Sequence, residues 1–426
     1  MNNNINSTRG FRLLGKNHFV SNDPRITQIN NNDAIVGSPG SGKSRGYVEP
    51  LLATTNESIV VVDCKKALFT KYKRQLNNRG FHVIMLDLVD CDKESCSYNP
   101  LEYISYDRNS RRYSEQDIRR IAAILSPTLS TEKDPFWTQS ARLVLECMIS
   151  FVMECTPAHE HHIGSVLKLF ESWTPETFNR LFNDLEFRDP DSYALKKYRH
   201  FKMLNGANAT WSCVRQFCSY ALNAFEGEAI GRVMHRRSDF RFSELGNQKT
   251  ALFLNVSDCD SSQDKVITLF FAQVIQQLMR AADNEPQRRL KVPVRLIFDD
   301  FCASGACIPD FDRIISVIRS REISVSIILQ SLSQLSGMYG SAKATTILTG
   351  CDHILFLGNN DMESVKYFSS LTNRLPQSIL NLGLDKCILF ERGNTSGALM
   401  LDKADIDEMD NYEDVDDTDE IDDFSK

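Results

Sequence analysis

A glycine-rich loop near the start of the chain has the residue types that bind a nucleoside triphosphate. Residues 37–44 read GSPGSGKS, which fits G-x-x-x-x-G-K-S, and the short apolar run 34-AIVG-37 precedes them. Glycine lets the backbone turn so that its N–H groups face phosphate oxygens, and a helix beginning here adds partial positive charge. The predicted phosphate-binding residues are Gly37, Ser38, Gly40, Ser41, Gly42, Lys43 and Ser44. Within this set we expect Lys43 to contact the β- and γ-phosphates and Ser44 to ligate Mg²⁺.

A second stretch supplies the carboxylates that such a loop requires. The run 294-VRLIFDDF-301 is apolar and then ends in Asp299 and Asp300, as expected of a buried strand with acidic residues at its carboxyl end. We predict that Asp299 holds Mg²⁺, and that Asp300 orients or deprotonates the water that attacks the γ-phosphate. The alternative is a strand that ends in a solvated acidic turn.

Three more residues have suitable chemistry for phosphoryl transfer. Gln330 ends the apolar run 323-ISVSIILQ-330, where a neutral amide can sense the γ-phosphate or position water. Arg319 and Arg321 come just before that run and could supply an arginine finger to a neighbouring subunit. The alternative for each arginine is an ordinary surface charge at the end of a helix.

The elements that must position these residues alternate along the chain. Strand-like apolar runs at 34–37, 58–64, 82–88, 249–256, 294–300, 323–330, 353–358 and 387–393 alternate with helical periods. This alternation predicts an α/β fold with a mostly parallel, helix-covered sheet. Between the third and fourth runs the pattern is almost wholly helical. The predicted division is a lead-in at 1–32, a nucleotide-binding domain in two parts at 33–108 and 241–400, an inserted all-α domain at 109–240 and a disordered acidic tail at 401–426.

Charge is concentrated in the tail. The chain carries a net charge of −7, but residues 401–426 hold 13 Asp and Glu against two Lys, which leaves the rest of the chain mildly basic. A basic body is compatible with nucleic acid without requiring it. The tail is interpreted either as a solubilising extension or as a docking segment for a basic partner.

The distribution of apolar residues predicts a cytoplasmic chain with no transmembrane segment of its own. No apolar run approaches the roughly 18–20 residues that span a bilayer, and the start MNNNINSTRGFRLL lacks the apolar core of a secretory signal.

With these residues in place, the sequence resembles the type IV secretion coupling proteins, the TraG/TraD-like ATPases of conjugative DNA transfer. The resemblance covers roughly residues 30–395 and is strongest over 296-LIFDDFCASGACIPDFDRIISVIRSREISVSIILQSLSQLSGMYG-340. It extends to 58-SIVVVDCKKAL-68, 98-YNPL-101, 134-DPFWTQSARLVLECMI-149 and 350-GCDHILFLGNNDMESVKY-367. The resemblance implies a RecA-like P-loop NTPase motor domain with an inserted all-α domain. It also implies a homo-hexamer that binds ATP and Mg²⁺ between subunits.

The same resemblance implies the partners and location of the chain. It would recruit a relaxase and single-stranded DNA and pass them to type IV secretion channel proteins at the inner face of the cell membrane. The N-terminal membrane helices usual in the family are absent from this sequence. Either they have been removed, or a separate membrane-anchor subunit supplies the attachment.

Two departures from the family pattern bear on activity. The acidic pair is Asp-Asp where relatives usually carry Asp-Glu, so the carboxylate of Asp300 reaches less far toward water. A displacement of about 1 Å can cost roughly 10²-fold in rate. The second departure is 63-DCKKA-67, which stands where Asp-Pro-Lys-Gly-Glu is common.

These departures keep two hypotheses open. The first is an ATP-driven coupling protein, and the alternative is a non-hydrolysing nucleotide-binding adaptor that delivers cargo to a partner motor. A chromosome-pumping motor of the FtsK type is disfavoured by 305-GACIPDF-311 and by the large helical insertion.

DNA contacts are the least determined part of the prediction. Basic groups occur at 65-KKALFTKYKR-74, 196-KKYRHFK-202 and 235-HRRSDFR-241, and Tyr198, Phe201 and Phe240 interleave with the last two. Such a mixture can track phosphates and stack bases, while solvated helical faces are the alternative.

Overall fold

The computed structural model describes residues 9–126, 136–204, 208–302, 305 and 307–407. The strands are β1 (Phe11–Gly15), β2 (His18–Ser21), β3 (Asp33–Val36), β4 (Ser58–Cys64), β5 (His82–Asp87), β6 (Tyr106–Asp107), β7 (Arg112–Tyr113), β8 (Thr250–Val256), β9 (Val294–Phe298), β10 (Ile323–Leu329), β11 (His353–Phe356), β12 (Lys386–Glu391) and β13 (Leu399–Asp402). The α-helices are α1 (Pro24–Thr27), α2 (Glu49–Thr54), α3 (Ala67–Asn78), α4 (Glu115–Leu125), α5 (Phe136–Cys155), α6 (Ile163–Glu171), α7 (Pro175–Arg188), α8 (Tyr193–Leu204), α9 (Asn208–Leu222), α10 (Glu228–Met234), α11 (Asp264–Asn284), α12 (Phe311–Val317), α13 (Leu332–Tyr339), α14 (Ser341–Thr349), α15 (Met362–Thr372) and α16 (Pro376–Leu380).

Nine of the strands form one sheet in the order β13-β12-β11-β3-β10-β9-β4-β8-β5. The pairs from β11 to β5 are parallel, and β12 and β13 add antiparallel strands at one edge. The central strands are buried along their whole length because helices cover both faces, which explains their continuous apolar runs. The predicted α/β class and all eight predicted strands are confirmed.

The two ends of the described chain contain strands that the sequence patterns did not define. Strands β1 and β2 pair as a hairpin within the predicted lead-in, with Asn17 in the left-handed region at the turn. At the other end, Leu401 and Asp402 pair with β12, although the predicted tail began at residue 401. The structure therefore orders the first residues of that segment, and residues 408–426 lie outside the described part.

The inserted helical domain lies between β5 and β8 in sequence. Helices α4 to α10 form it, and α5 contacts α4, α8 and α9. The domain is joined to the α/β domain through Asp117 of α4, which accepts hydrogen bonds from Gln276 and Arg280 of α11 at 2.8 and 2.7 Å. Burial opposes ionisation of Asp117, but these bonds, with that from the Ser105 amide, lower its pKa overall. The junction is thus a charged, hydrogen-bonded contact.

Within the described residues, no helix has both the length and the apolar character required to cross a membrane.

Candidate nucleotide-binding site

Four neighbouring strands bring the predicted site residues to one edge of the sheet. In the order β11-β3-β10-β9, each strand is parallel to the next, so their carboxyl ends lie together. The phosphate loop follows β3, Gln330 follows β10, and Asp299 and Asp300 follow β9. This edge is where parallel α/β sheets bind ligands.

The phosphate loop has the backbone geometry that its glycines predict. Gly40 and Gly42 have φ values of 75° and 92°, a region that side chains with a Cβ disfavour. Lys43 is nearly buried, and its Nζ donates to the carbonyls of Gly37 and Ser38 at 3.0 and 3.2 Å. The lysine therefore folds back over the loop, at the position from which it can reach phosphate oxygens.

Ser44 and Asp299, which were predicted to hold Mg²⁺, contact each other. The Ser44 hydroxyl donates to Oδ2 of Asp299 at 3.0 Å, while Oδ1 of Asp299 is buried and has no hydrogen-bond partner in the described part of the chain. Burial, and next to it the charge of Asp300, raise the pKa of Asp299 to about 6. A half-buried carboxylate that keeps one buried oxygen unpaired beside a hydroxyl is a donor set that suits Mg²⁺.

Asp300 points toward the groups that would surround a γ-phosphate. Its Oδ1 lies 3.7 Å from Nζ of Lys43 and accepts a hydrogen bond from Nε2 of Gln330 at 3.4 Å. Its side chain is 36% exposed and so has access to water, in contrast to the buried Oδ1 of Asp299. The structure thus brings Lys43, Asp300 and Gln330 together, as the sequence predicted.

A large pocket continues from the phosphate loop. It measures about 920 Å³ and is lined by the loop, by leucines of β11 and of the α16–β12 connection, and by residues 402–405. Residues 403–407, which we call the C-terminal strap, close one wall. Lys403 Nζ donates to the Ser41 carbonyl at 2.9 Å, and Arg45 forms ion pairs with Asp405 and Asp407. The volume and the apolar side chains suit the base and ribose of a nucleotide.

The strap also explains a glycine within the helical turn after the loop. A Cβ placed on Gly46 would lie 2.8 Å from the carbonyl oxygen of Ala404, which is closer than real Cβ contacts. Only glycine lets the strap approach the turn this closely.

The two arginines lie at the opposite edge of the sheet. Arg321 is paired with Asp283 through contacts of 2.9 and 3.2 Å, and Arg319 donates to the Gln28 carbonyl at 3.3 Å. Both precede β10, whose seven residues span roughly 23 Å. They therefore do not reach the site of their own chain.

Two further site residues were not predicted individually. Asn359 follows β11, donates to the Gln330 carbonyl at 3.1 Å, and keeps a buried oxygen without a partner among the described residues. The sequence signal for it was the match at 350-GCDHILFLGNNDMESVKY-367. Lys403 had no such signal, because it lies in the segment assigned to the acidic tail.

The turn 63-DCKKA-67 caps a helix. Asp63 accepts hydrogen bonds from the amides of Leu68 and Phe69 at the start of α3, at 3.1 and 2.7 Å. Lys66 has a φ of 59° at the position where relatives usually have glycine, and it forms ion pairs with Asp87 and Asp92. Lys65 before it is also left-handed, with a φ of 73°, so two successive lysines adopt a conformation that residues with a Cβ disfavour.

The predicted base-stacking aromatic residues are buried. Tyr198 stacks on Phe182 with ring centroids 4.2 Å apart, Phe201 packs in the same helical core, and Phe240 packs on Phe242 at 5.4 Å. The prediction that these three could stack on bases is wrong, because their spacing among basic residues reflects the inner face of helices and turns. The basic residues around them remain candidates for contacts with phosphates.

The fold and the site together define a RecA-like P-loop NTPase motor domain with an inserted all-α domain. Residues 14–374 match the family described as "Type IV secretory system Conjugative DNA transfer". The chain therefore belongs to this family of conjugative coupling proteins. Among its relatives, the protein VirD4 of Rhizobium rhizogenes is 25% identical over 336 residues, which cover 79% of this chain and 48% of VirD4. The chain thus spans about half the length of this relative.

Solved structures of the plasmid coupling protein TrwB have the same fold. The complex of TrwB with the ATP analogue ADPNP superposes with a TM-score of 0.63 at 16% identity, covering 93% of each chain. The complex of TrwB with ADP and Mg²⁺ gives a TM-score of 0.61 at 16% identity, covering 87% of this chain and 85% of TrwB.

Proposed function

We propose that the chain is an ATP-driven coupling protein of bacterial conjugation, which recruits relaxase–DNA and passes it to a type IV secretion channel. The observation that carries the proposal is the convergence of Lys43, Ser44, Asp299, Asp300 and Gln330 at one edge of the sheet. Because the chain belongs to the conjugative DNA transfer family, DNA transfer is the process that we assign to this nucleotide site.

ATP and Mg²⁺ are the proposed ligands of the site. The loop amides and Lys43 would hold the phosphates, and Ser44 and Asp299 would hold Mg²⁺, whose charge neutralises the phosphate oxygens. The buried Oδ1 of Asp299, which has no hydrogen-bond partner among the described residues, supports this assignment, because a buried carboxylate oxygen is costly to leave without a donor or a cation. TrwB, which has the same fold, is found with ADP and Mg²⁺ and with ADPNP.

Hydrolysis would proceed through Asp300. Its carboxylate accepts a proton from the attacking water, and Gln330 fixes the direction of that carboxylate through the 3.4 Å hydrogen bond. Lys43, whose Nζ donates to the Gly37 and Ser38 carbonyls, would donate to phosphate oxygens instead and would stabilise the negative charge that develops on the leaving oxygen.

The active particle is proposed to be a homo-hexamer with its sites between subunits. Arg319 and Arg321 support this arrangement, because they lie at the sheet edge opposite their own phosphate loop. From there an arginine can enter only the site of a neighbouring subunit, where it would stabilise the charge of the transition state.

The proposed partners follow from the family. They are a relaxase with single-stranded DNA, the secretion channel proteins, and a separate membrane-anchor subunit that would hold the chain at the inner face of the cell membrane.

The second candidate is a non-hydrolysing adaptor, favoured by one observation. Asp300 is one methylene shorter than the glutamate usual in the family, and it stands at a φ of 49°. In this alternative the chain binds nucleotide and relaxase and delivers cargo to a partner motor.

The experiment is ATP turnover by the purified chain with and without single-stranded DNA, beside Lys43→Ala. The proposal predicts turnover that rises with DNA and is lost in Lys43→Ala, together with a particle mass near six subunits when ATP analogue and DNA are present. Tight ATP binding with no turnover by the assembled hexamer would contradict the motor and support the adaptor.

A further inference from the structure

The turn that follows the phosphate loop is wound more widely than an α-helix. Residues Ser44–Val48 form a π-helical turn, in which the amide of Glu49 donates to the carbonyl of Ser44, five residues earlier. Pro50 follows directly and has no N–H, so the α-helical bond from residue 50 to residue 46 cannot form. Single π-turns inside helices frequently occur at functional sites.

The wide turn directs Tyr47 into the interior of the protein. The side chain is 1% exposed, and its hydroxyl donates to Oδ2 of Asp33 and lies 2.7 Å from the hydroxyl of Ser326. Tyr47 therefore connects the turn that begins with Ser44 to buried polar groups on β3 and β10.

The partners of Tyr47 belong to a buried charge network. Arg295 donates to Asp33 at 3.3 Å and to Ser326 at 3.2 Å, and Nδ1 of His353 lies 3.1 Å from Asp33. Arg12 pairs with Asp33 at 2.9 Å. Asp33, Arg12 and Arg295 are each 2% exposed or less, so any one of them is costly to leave without its partners.

This network lies in the strands whose carboxyl ends form the nucleotide site, at the start of β3, β9 and β11 and in the middle of β10. Asp33 is in β3, Arg295 in β9, Ser326 in β10 and His353 in β11. These same four strands carry the phosphate loop, the aspartate pair, Gln330 and Asn359 at their carboxyl ends. The Tyr47 hydroxyl is therefore bonded to the same strands whose carboxyl ends position the phosphate loop and Asp299.

We propose that Tyr47 is a positioning residue for Mg²⁺: its bonds to Asp33 and Ser326 set the rotation of the π-turn, which aims the Ser44 hydroxyl at Asp299. The inference rests on the proposed nucleotide and magnesium site. Loss of the Tyr47 hydroxyl should therefore reduce the gain in nucleotide affinity that Mg²⁺ provides. It should leave the affinity without Mg²⁺ unchanged, because Ser44 acts through the metal and the loop amides do not.

The test compares ADP affinity with and without Mg²⁺ in Tyr47→Phe, a change that keeps the ring and removes the hydroxyl. The measured quantity is the ratio of the ADP Kd in EDTA to the ADP Kd in MgCl₂, determined by calorimetry on the full chain. We expect this ratio to fall about threefold to tenfold, while the Kd in EDTA changes by less than about twofold.

The matched control is Tyr193→Phe in the helical domain. Tyr193 is also buried and also donates to a carboxylate, that of Glu146, at 2.8 Å. This variant is expected to lose similar thermal stability and to keep the wild-type ratio, so a general loss of stability cannot imitate the effect.

The outcomes separate the inference from the proposed function. If wild-type chain binds ADP more tightly with Mg²⁺ and Tyr47→Phe keeps the full ratio, the role of Tyr47 is refuted and the site remains. If the wild-type chain shows no effect of Mg²⁺ on ADP binding, the proposed site itself is refuted.

Discussion

Replacing each of the two adjacent aspartates by asparagine should change different steps of the nucleotide cycle. Asp299 is half-buried and accepts a hydrogen bond from Ser44, whereas Asp300 is 36% exposed and faces Lys43 and Gln330. Both substitutions keep the size of the side chain and remove its charge. If the assigned roles are correct, Asp299→Asn weakens binding that depends on Mg²⁺, and Asp300→Asn slows hydrolysis without weakening binding.

The magnitudes follow from these contacts. Loss of a group that orients or holds a metal typically reduces metal affinity about 10- to 100-fold, which is the expected effect of Asp299→Asn on ADP·Mg²⁺ binding. Loss of a general base typically costs about 10²- to 10⁴-fold in kcat, which is the expected effect of Asp300→Asn. Lys43 also loses a carboxylate 3.7 Å away in this variant, so ATP should bind as tightly as before or up to about fivefold more tightly.

The assay combines calorimetry for ATP analogue and ADP, with and without Mg²⁺, with phosphate release on single-stranded DNA. Asp300→Glu is the companion variant: a gain in turnover would mean that the short side chain limits the rate. The left-handed backbone of residue 300, with a φ of 49°, should reduce that gain, because a glutamate in this conformation is strained by about 1–2 kcal/mol. Phosphate release by Asp300→Asn within about twofold of wild type would refute Asp300 as the base.

The remaining predictions concern packing, pH and assembly. Gly46→Ala should displace the C-terminal strap and weaken ADP binding severalfold, as measured by calorimetry. The control Gly337→Ala lies in a helix with open space around the added methyl group, so it should raise the melting temperature slightly and leave ADP binding unchanged. Burial opposes ionisation of Asp33, but Arg12 and the other partners of Asp33 lower its pKa to about 2. Asp33 should therefore contribute about 2 kcal/mol to the free energy of unfolding, fully above about pH 4 and progressively less as the pH falls to about 2. The melting temperature of Asp33→Asn should accordingly vary less than that of the wild type over this pH range. Mixing inactive Lys43→Ala and Arg321→Ala chains should restore turnover if the arginine acts between subunits, and no recovery would contradict the trans finger.

The site residues could be predicted because each one ends or begins a strongly patterned strand. Asp299, Asp300 and Gln330 follow apolar runs that only a buried strand explains, and parallel strands bring their carboxyl ends together. The order of the strands, which inserts β10 between β3 and β9, was not predicted, because the alternation of strands and helices does not determine which strands are neighbours.

Other features depend on contacts that no local pattern records. Tyr47 looks like one apolar residue of a helix, because its partner Ser326 lies 279 residues away. Strand β13 has only four residues, and the predicted boundary of the acidic tail at residue 401 divides it, so its pairing with β12 had no clear sequence signal. Tyr198, Phe201 and Phe240 lie among basic residues in sequence, yet they face the core because a helix or turn buries one side only.

The most direct test of an ATP-driven coupling protein is the frequency of DNA transfer in cells whose only copy of the chain is Asp300→Asn. This variant is expected to bind nucleotide and Mg²⁺ and to assemble as the wild type does, so only hydrolysis is removed. We expect transfer to fall to the level seen without the chain. Transfer at the wild-type frequency would contradict an ATP-driven role and would show that nucleotide binding alone is sufficient.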